Sequence, residues 1–239
     1  MSEKTSILIL GAFPDKNIKS LGNKGLIKIN KNTNLVEYQI DFFQKAYKKP
    51  QIIIVGAFDG KRLNKFIIEY NKNNKTNIKY IEHPLDKYVN VGYSLKHAMK
   101  YVLHNNLVIC DLSVALCPSS LATVSKPKFS FILAHKNKKT RESIGFILDS
   151  NNKHIGHCFY GLPNDICDFI YLRTKDVKIL NKVMKITQNI QKFFLFEILN
   201  TCIDNGSKIE PIYMVKNKIA LLNNTKDISS FRKSFNKYV

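Results

Sequence analysis

Three short apolar runs, each emptied into a loop by a glycine or an aspartate, constrain this chain more than any other feature. They are Ile7-Leu8-Ile9-Leu10 before Gly11, Ile52-Ile53-Ile54-Val55 before Gly56, and Leu107-Val108-Ile109-Cys110 before Asp111. Runs this short and this continuously apolar suit strands buried on both faces, as in a parallel sheet covered by helices, better than half-exposed strands that alternate.

The segments between them supply those helices. Residues 35–47 place Leu35, Val36, Ile40, Phe43 and Tyr47 on one helical face, and residues 61–71 and 91–103 are also helical. Residues 26–29 and 78–81 read as further short strands. Strands alternating with helices at this spacing imply right-handed crossovers and a mostly parallel sheet.

The second half has a different rhythm. Residues 129–135, 143–149 and 155–159 read as strands, with a hairpin turn at Asn151-Asn152-Lys153. Residues 175–187 and 193–204 are helical, 209–215 and 219–222 pair around Lys216-Asn217-Lys218, and a helix closes the chain at 227–237. The expected fold class is α/β, a Rossmann-like three-layer α/β/α arrangement with a mixed, mostly parallel central sheet. The 239 residues suit one domain, with a Rossmann-like half at 1–125 and a second half at 126–239.

Composition narrows the partners. No apolar run approaches the roughly 18 residues of a membrane-spanning helix, and residues 7–10 are too short for a secretory leader. A cytoplasmic protein is expected. The five cysteines are odd in number and include no C-x-x-C pair, so reduced thiols are expected. A net charge of +20 admits nucleic acid as a partner. The lysines are spread along the whole chain beside many asparagines, however, which AT-rich coding also produces, and both readings stay open.

In open α/β sheets, ligands bind beyond the carboxyl ends of the strands. The loop from Gly11 to Gly25 leaves the first strand there, carrying three glycines with Lys16, Lys19 and Lys24. It can cradle a triphosphate or be an exposed turn with solvated lysines. Asp111, held at the end of a buried strand, can ligate a metal or cap its loop. His154, His157 and Cys158 lack an evident fourth zinc ligand. Cys110 lacks a fixed histidine base and suits the core. The basic run 136–141 suits a solvated loop better than a nucleic-acid contact.

The order of these features resembles the sugar-phosphate and choline-phosphate nucleotidyltransferases. That family opens with a strand and L-A-A-G-x-G-x-R-L, then P-K-x-L, L-x-E-Y-Q-I, I-I-V-V-x-G-Y and N-N-x-Y-S-L. This chain has Ile7 to Phe13, Asn23-Lys24-Gly25-Leu26, Leu35-Val36-Glu37-Tyr38-Gln39-Ile40, Ile52 to Phe58 and Asn90-Val91-Gly92-Tyr93-Ser94-Leu95 in the same order. Residues 193–206 and 220–228 resemble the segments around the family's last strands.

The resemblance implies a GT-A-like nucleotidyltransferase fold and transfer of a nucleotidyl group from an NTP to a phosphorylated small molecule, releasing pyrophosphate. It implies Mg²⁺ on Asp111, catalysis by Asp111 and Lys24, and nucleotide contacts from Gly11, Ala12, Lys16, Lys19, Lys24, Asn90 and Ser94. The family's second metal-binding aspartate falls on Asn223, and Asp227 falls on a helix cap. The opening loop lacks both G-x-G and arginine. Those departures imply an alternative: a degenerate family member that binds nucleic acid or a protein assembly without catalysis.

Overall fold

A computed structural model describes residues 4–11, 22–56, 58–84, 90–125, 127–136, 143–215 and 218–235. Ala12, Lys16, Lys19 and most of the basic run 136–141 lie outside the described residues. The first half alternates β1 (Thr5–Gly11), α1 (Leu35–Ala46), β2 (Gln51–Gly56), α2 (Gly60–Asn74), β3 (Lys79–Glu82), α3 (Val91–Met99) and β4 (Asn106–Asp111). Then follow β5 (Val114–Leu116), α4 (Leu121–Val124), β6 (Ser130–His135), β7 (Ile144–Leu148), β8 (Ile155–Tyr160) and β9 (Asp165–Leu172). The chain closes with α5 (Thr174–Ile186), α6 (Leu195–Asp204), β10 (Ile209–Tyr213), β11 (Ile219–Leu221) and α7 (Thr225–Phe235).

The main sheet runs β10-β6-β9-β4-β1-β2-β3, with the β7–β8 hairpin attached to β9. Pairs β4–β1, β1–β2, β2–β3 and β6–β10 are parallel, whereas β9 is antiparallel to both β4 and β6. The sheet is therefore mixed and mostly parallel. Its continuous apolar strands feed two cores. Leu8, Leu10 and Ile109 pack with Leu95 of α3, Val177 of α5 and Ile198 of α6 on one face. Ile7, Ile9 and Val108 pack with Val36 and Ile40 of α1, Leu63 of α2 and Val124 of α4 on the other. The expected three-layer α/β/α class is the observed one, because strands apolar on both sides have to be covered twice.

Two local expectations are corrected and one strand is added. Residues 26–29 form no strand: Lys24–Leu26 is a 3-10 turn, and Lys28 makes one isolated bridge to Asn34. Ile27 and Ile29 do alternate inward, but they pack with Leu222, Ile228 and Phe231 and have no ladder beside them. The expected hairpin of residues 209–215 with 219–222 also fails. β10 joins β6 in parallel and β11 joins β5 in antiparallel, partners far away in sequence. β9 carries no strand expectation, although it lies in the middle of the sheet.

Candidate active site

The registers place the ends of the first strands along one edge. Leu10 pairs with both Val55 and Asp111, Gly11 with Gly56, and Gly56 with Glu82. Asp111 stands at this edge at the end of β4, in the middle of the sheet.

The turn after Asp111 is heavily braced. Asp111 Oδ1 accepts from the Ser113 N–H at 2.7 Å, which fixes the carboxylate and leaves its other oxygen for a ligand. Gln39, 3% exposed, donates from Nε2 to the carbonyls of Asp111 at 3.0 Å and Val114 at 2.7 Å. Helix α1 presents Gln39 from a fixed start. Asn34 Oδ1 accepts from the Glu37 N–H at 3.0 Å, and the Glu37 carboxylate accepts from the Asn34 N–H at 3.4 Å, a reciprocal cap. Tyr38 donates to the Leu116 carbonyl. The Glu37-Tyr38-Gln39 triplet thus caps its helix and holds the Asp111 turn, and Gln39 acts as a positioning residue.

Lys24 opens the 3-10 turn and is held by its neighbour. Asn23, 3% exposed, accepts the Gly25 N–H at 2.9 Å and donates to the Phe58 carbonyl at 2.6 Å. The glycines have a packing reason. A Cβ on Gly11 would lie 2.6 Å from Leu112 Cδ2, and one on Gly25 3.1 Å from the same atom. Leu112, buried immediately after Asp111, wedges between β1 and the Lys24 turn, so both glycines help bring Lys24 and Asp111 together.

Asn90 caps α3, its Oδ1 accepting the Val91 N–H at 2.8 Å, while its own N–H donates to Gln191 O at 2.7 Å. Ser94 is buried, its hydroxyl 2.6 Å from His83 Nδ1. Burial holds the His83 pKa below its usual value. Ser94 therefore faces the interior behind β3, and any effect on a ligand passes through His83 at the strand end.

Asn223 comes near through backbone pairing. Leu221 pairs with Val114, and the Leu222 N–H donates to Ser113 O at 2.9 Å, so Asn223 follows alongside the Asp111 turn. It is exposed, and its N–H donates to Asp227 Oδ2 at 3.1 Å. Asp227 in turn donates its N–H to Asn224 Oδ1, binding the two into the start of α7.

The residue that sequence reasoning missed is Asp168. Antiparallel pairing matches Cys110 of β4 with Phe169 of β9, the last pair of that ladder, so Asp168 lies near Asp111 at the sheet edge. Its pKa is pushed up to about 7 by enclosure in protein and by the neighbouring Asp111 charge, while Lys24 pulls it down. The three groups therefore share one electrostatic environment. A signal existed: Asp168 is a lone charge inside Ile166-Cys167-Asp168-Phe169-Ile170. Only a β9 assignment would have given it meaning.

Other constellations resolve locally. His154 Nδ1 lies 3.1 Å from Asp149 Oδ2 beside the β7–β8 turn, and among the described residues no three His, Cys, Asp or Glu side chains gather as a metal cluster. Cys110 is buried, and burial holds its thiol well above the usual range.

No protein-family model matches the chain by sequence, and no curated protein does either. Solved structures do match over the whole length. The CTP:phosphocholine cytidylyltransferase from Streptococcus pneumoniae is 12% identical with a TM-score of 0.76, covering 98% of this chain and 99% of its own. The inositol-1-phosphate CTP transferase from T. maritima is 13% identical with a TM-score of 0.74, covering 100% and 97%. A UDP-glucose pyrophosphorylase complexed with UDP-glucose is 11% identical with a TM-score of 0.72, covering 99% of both chains. The chain has the fold that these nucleotidyltransferases share, the GT-A-like fold expected from the motif order.

Proposed function

We propose that the protein transfers a nucleotidyl group from an NTP to a phosphorylated small molecule of the sugar-phosphate or choline-phosphate type. A phosphate oxygen of the acceptor attacks the α-phosphorus and forms the new P–O bond. The bond from that phosphorus to the bridging oxygen breaks, and pyrophosphate leaves with the electron pair. The observation that carries this reading is the braced Asp111 carboxylate at the carboxyl edge of the sheet, with the turn that bears Lys24 held against Leu112 and shaped by Asn23.

The residues fit a magnesium ion in kind. Asp111 has one oxygen committed to Ser113 and one to offer, and Asn223 can present an amide oxygen. Bound there, Mg²⁺ would neutralise charge on the α-phosphate. Lys24 supplies a fixed positive charge to the phosphates. Asp111, through its turn, sets where the α-phosphate rests, and the acceptor phosphate then needs only to be positioned for attack.

The test is pyrophosphate release by purified protein over the four NTPs and a panel of phosphorylated acceptors. Asp111→Asn is expected to lower turnover by about 100-fold or more, with little loss of stability because the amide oxygen can still accept from Ser113. Absence of both pyrophosphate release and nucleotide binding with every NTP would reject the reading. The neutral Asn223 favours a second reading, a protein that kept the fold, lost the chemistry and binds nucleic acid through its charge of +20. Steeply salt-dependent binding to DNA or RNA without pyrophosphate release is its signature.

A further inference from the structure

We propose that the exposed face of α5, with the turn at its start, is a track for the phosphodiester backbone of a single-stranded nucleic acid. This is narrower than attraction by total charge, and it does not depend on whether the protein is an enzyme. The head of the track lies at the amino edge of the sheet, where β9 gives way to α5 beside the start of β4, whereas Asp111 ends β4 at the opposite edge.

The stripe follows from helical spacing. α5 buries Val177, Leu180, Val183 and Met184 in the core, so residues out of phase with them face water. Those are Lys175, Lys178, Lys182 and Lys185, all exposed. At 3.6 residues per turn they fall within about a quarter turn of the helix and extend along roughly 15 Å of its axis. Like charges three and four residues apart repel and weaken a helix. The sole acid of α5, Asp176, does not relieve them: it is buried, accepting from the Ser130 hydroxyl at 2.5 Å and the Lys208 N–H at 3.2 Å. Among the described residues none of the four lysines makes an ion pair. α2 is the contrast, since Arg62 there pairs with Asp59 at 3.0 Å and the exposed Glu69 follows Lys65 by one turn.

Further cations gather at the head. The backbone bond to Asp176 brings in the exposed Lys208, and Arg173 donates from Nη1 to the carbonyl of the exposed Lys128 at 2.8 Å. Beside them Thr174 Oγ1 lies 3.5 Å from Asn106 Oδ1, and a cleft of about 260 Å³ opens there, its lining including Lys4 and His104. A row of cations that ends in a polar cleft fits a chain of phosphates whose last unit enters the cleft. The stripe is one lysine wide, which suits a strand better than the plane of a membrane. The apolar face of α5 is spent on the core, so the helix has none to insert into lipid.

The test is fluorescence anisotropy of single-stranded RNA and DNA oligonucleotides of one mixed sequence, titrated with the intact protein over a range of salt. Lys178→Glu with Lys182→Glu is expected to weaken binding of both about tenfold or more at low salt. It should also lessen the slope of log affinity against log salt by about one to two. Lys61→Glu with Lys65→Glu on α2 makes the same change in net charge and is expected to cost less than about threefold. Equal losses in the two pairs would mean that total charge alone attracts the strand and would overturn the proposal, as would no binding by the unmodified protein. Lys178→Gln with Lys182→Gln guards against misfolding of the reversal. It removes like-charged neighbours, so it should melt no lower than the unmodified protein, and it should weaken binding about threefold or more; unchanged binding overturns the track. Tighter binding to phosphatidylserine vesicles than to either oligonucleotide, lost in the same variants, assigns the stripe to a membrane and overturns it too. Pyrophosphate release is expected to be equal in the α5 variants and the unmodified protein. Failure of nucleotidyl transfer therefore leaves the track standing, and failure of the track leaves nucleotidyl transfer standing.

Discussion

The two strands that meet at the site hold their carboxylates in opposite ways. On β4, Asp111 ends a regular strand, spends one oxygen on Ser113, and has its carbonyl tied by Gln39 from a capped helix. On β9, Asp168 sits in a bulge at φ +48°, with no hydrogen bond to its carboxylate among the described residues. The first arrangement satisfies the Asp111 and Val114 carbonyls and leaves only the buried Gln39 Oε1 without a partner. The second holds a non-glycine residue in the left-handed region, which costs stability. Removing a support on the β4 side should therefore hurt the fold, and removing the carboxylate on the β9 side should help it.

The largest expected effect breaks the β4 side. Gln39→Leu keeps an apolar stem of similar size but leaves the buried carbonyls of Asp111 and Val114 without their donor. The Gln39 Oε1 atom is itself buried without a partner, so part of the loss is offset. A net destabilisation of about 2–3 kcal/mol is expected, measured by urea unfolding. Turnover should fall as well, because the Asp111 turn loses its brace. A change below about 0.5 kcal/mol would show that the bracing is incidental and erase the contrast.

Asp168→Gly sharpens the other side. Glycine takes positive φ without steric cost, and the substitution removes a half-buried carboxyl group whose ionisation the Asp111 charge opposes. The protein should gain up to about 1 kcal/mol of stability, read as a higher melting temperature. A lower melting temperature would mean that the carboxylate makes a supporting contact, and the strand would then be ordinary.

The same contrast explains what could be read in advance. The places of Asp111 at a strand end, of Lys24 in the first loop and of the α1 apolar face were legible because each depends on a local signal: an apolar run that stops, a loop that carries glycines, apolar residues at helical spacing. The layers were legible because β1, β2 and β4 are apolar on both faces. Asp168 was not, because its meaning depends on β9, a strand broken by charge whose partners β4 and β6 lie some tens of residues away. The fates of β10 and β11 were hidden for the same reason. Nearness in sequence suggested a hairpin, while their partners are β6 and β5. Asn223 was found through motif order, yet that order could not show that β11 would leave it exposed at the rim.

The smallest expected effect concerns the third strand end, where His83 meets Ser94. His83 is 2% exposed, its Nδ1 lies 2.6 Å from the Ser94 hydroxyl, and its ring packs edge-on against Tyr93. Burial favours the neutral imidazole and holds the folded pKa below the unfolded value of about 6.5. The sign follows from which state binds the proton more readily. Above pH 6.5 neither folded nor unfolded His83 is charged, and its full contribution is present. As pH falls from about 6.5 towards the folded pKa, the unfolded chain takes up the proton first and stability is lost. Ser94 and Tyr93, both against the ring, are uncharged. His83→Gln, which can still hydrogen-bond Ser94 but cannot titrate, should therefore flatten the fall in melting temperature between pH 7 and pH 5. An equal fall in both proteins would mean that acid sensitivity lies elsewhere, and that this edge of the crevice is braced against pH as firmly as the Asp111 turn is braced by Gln39.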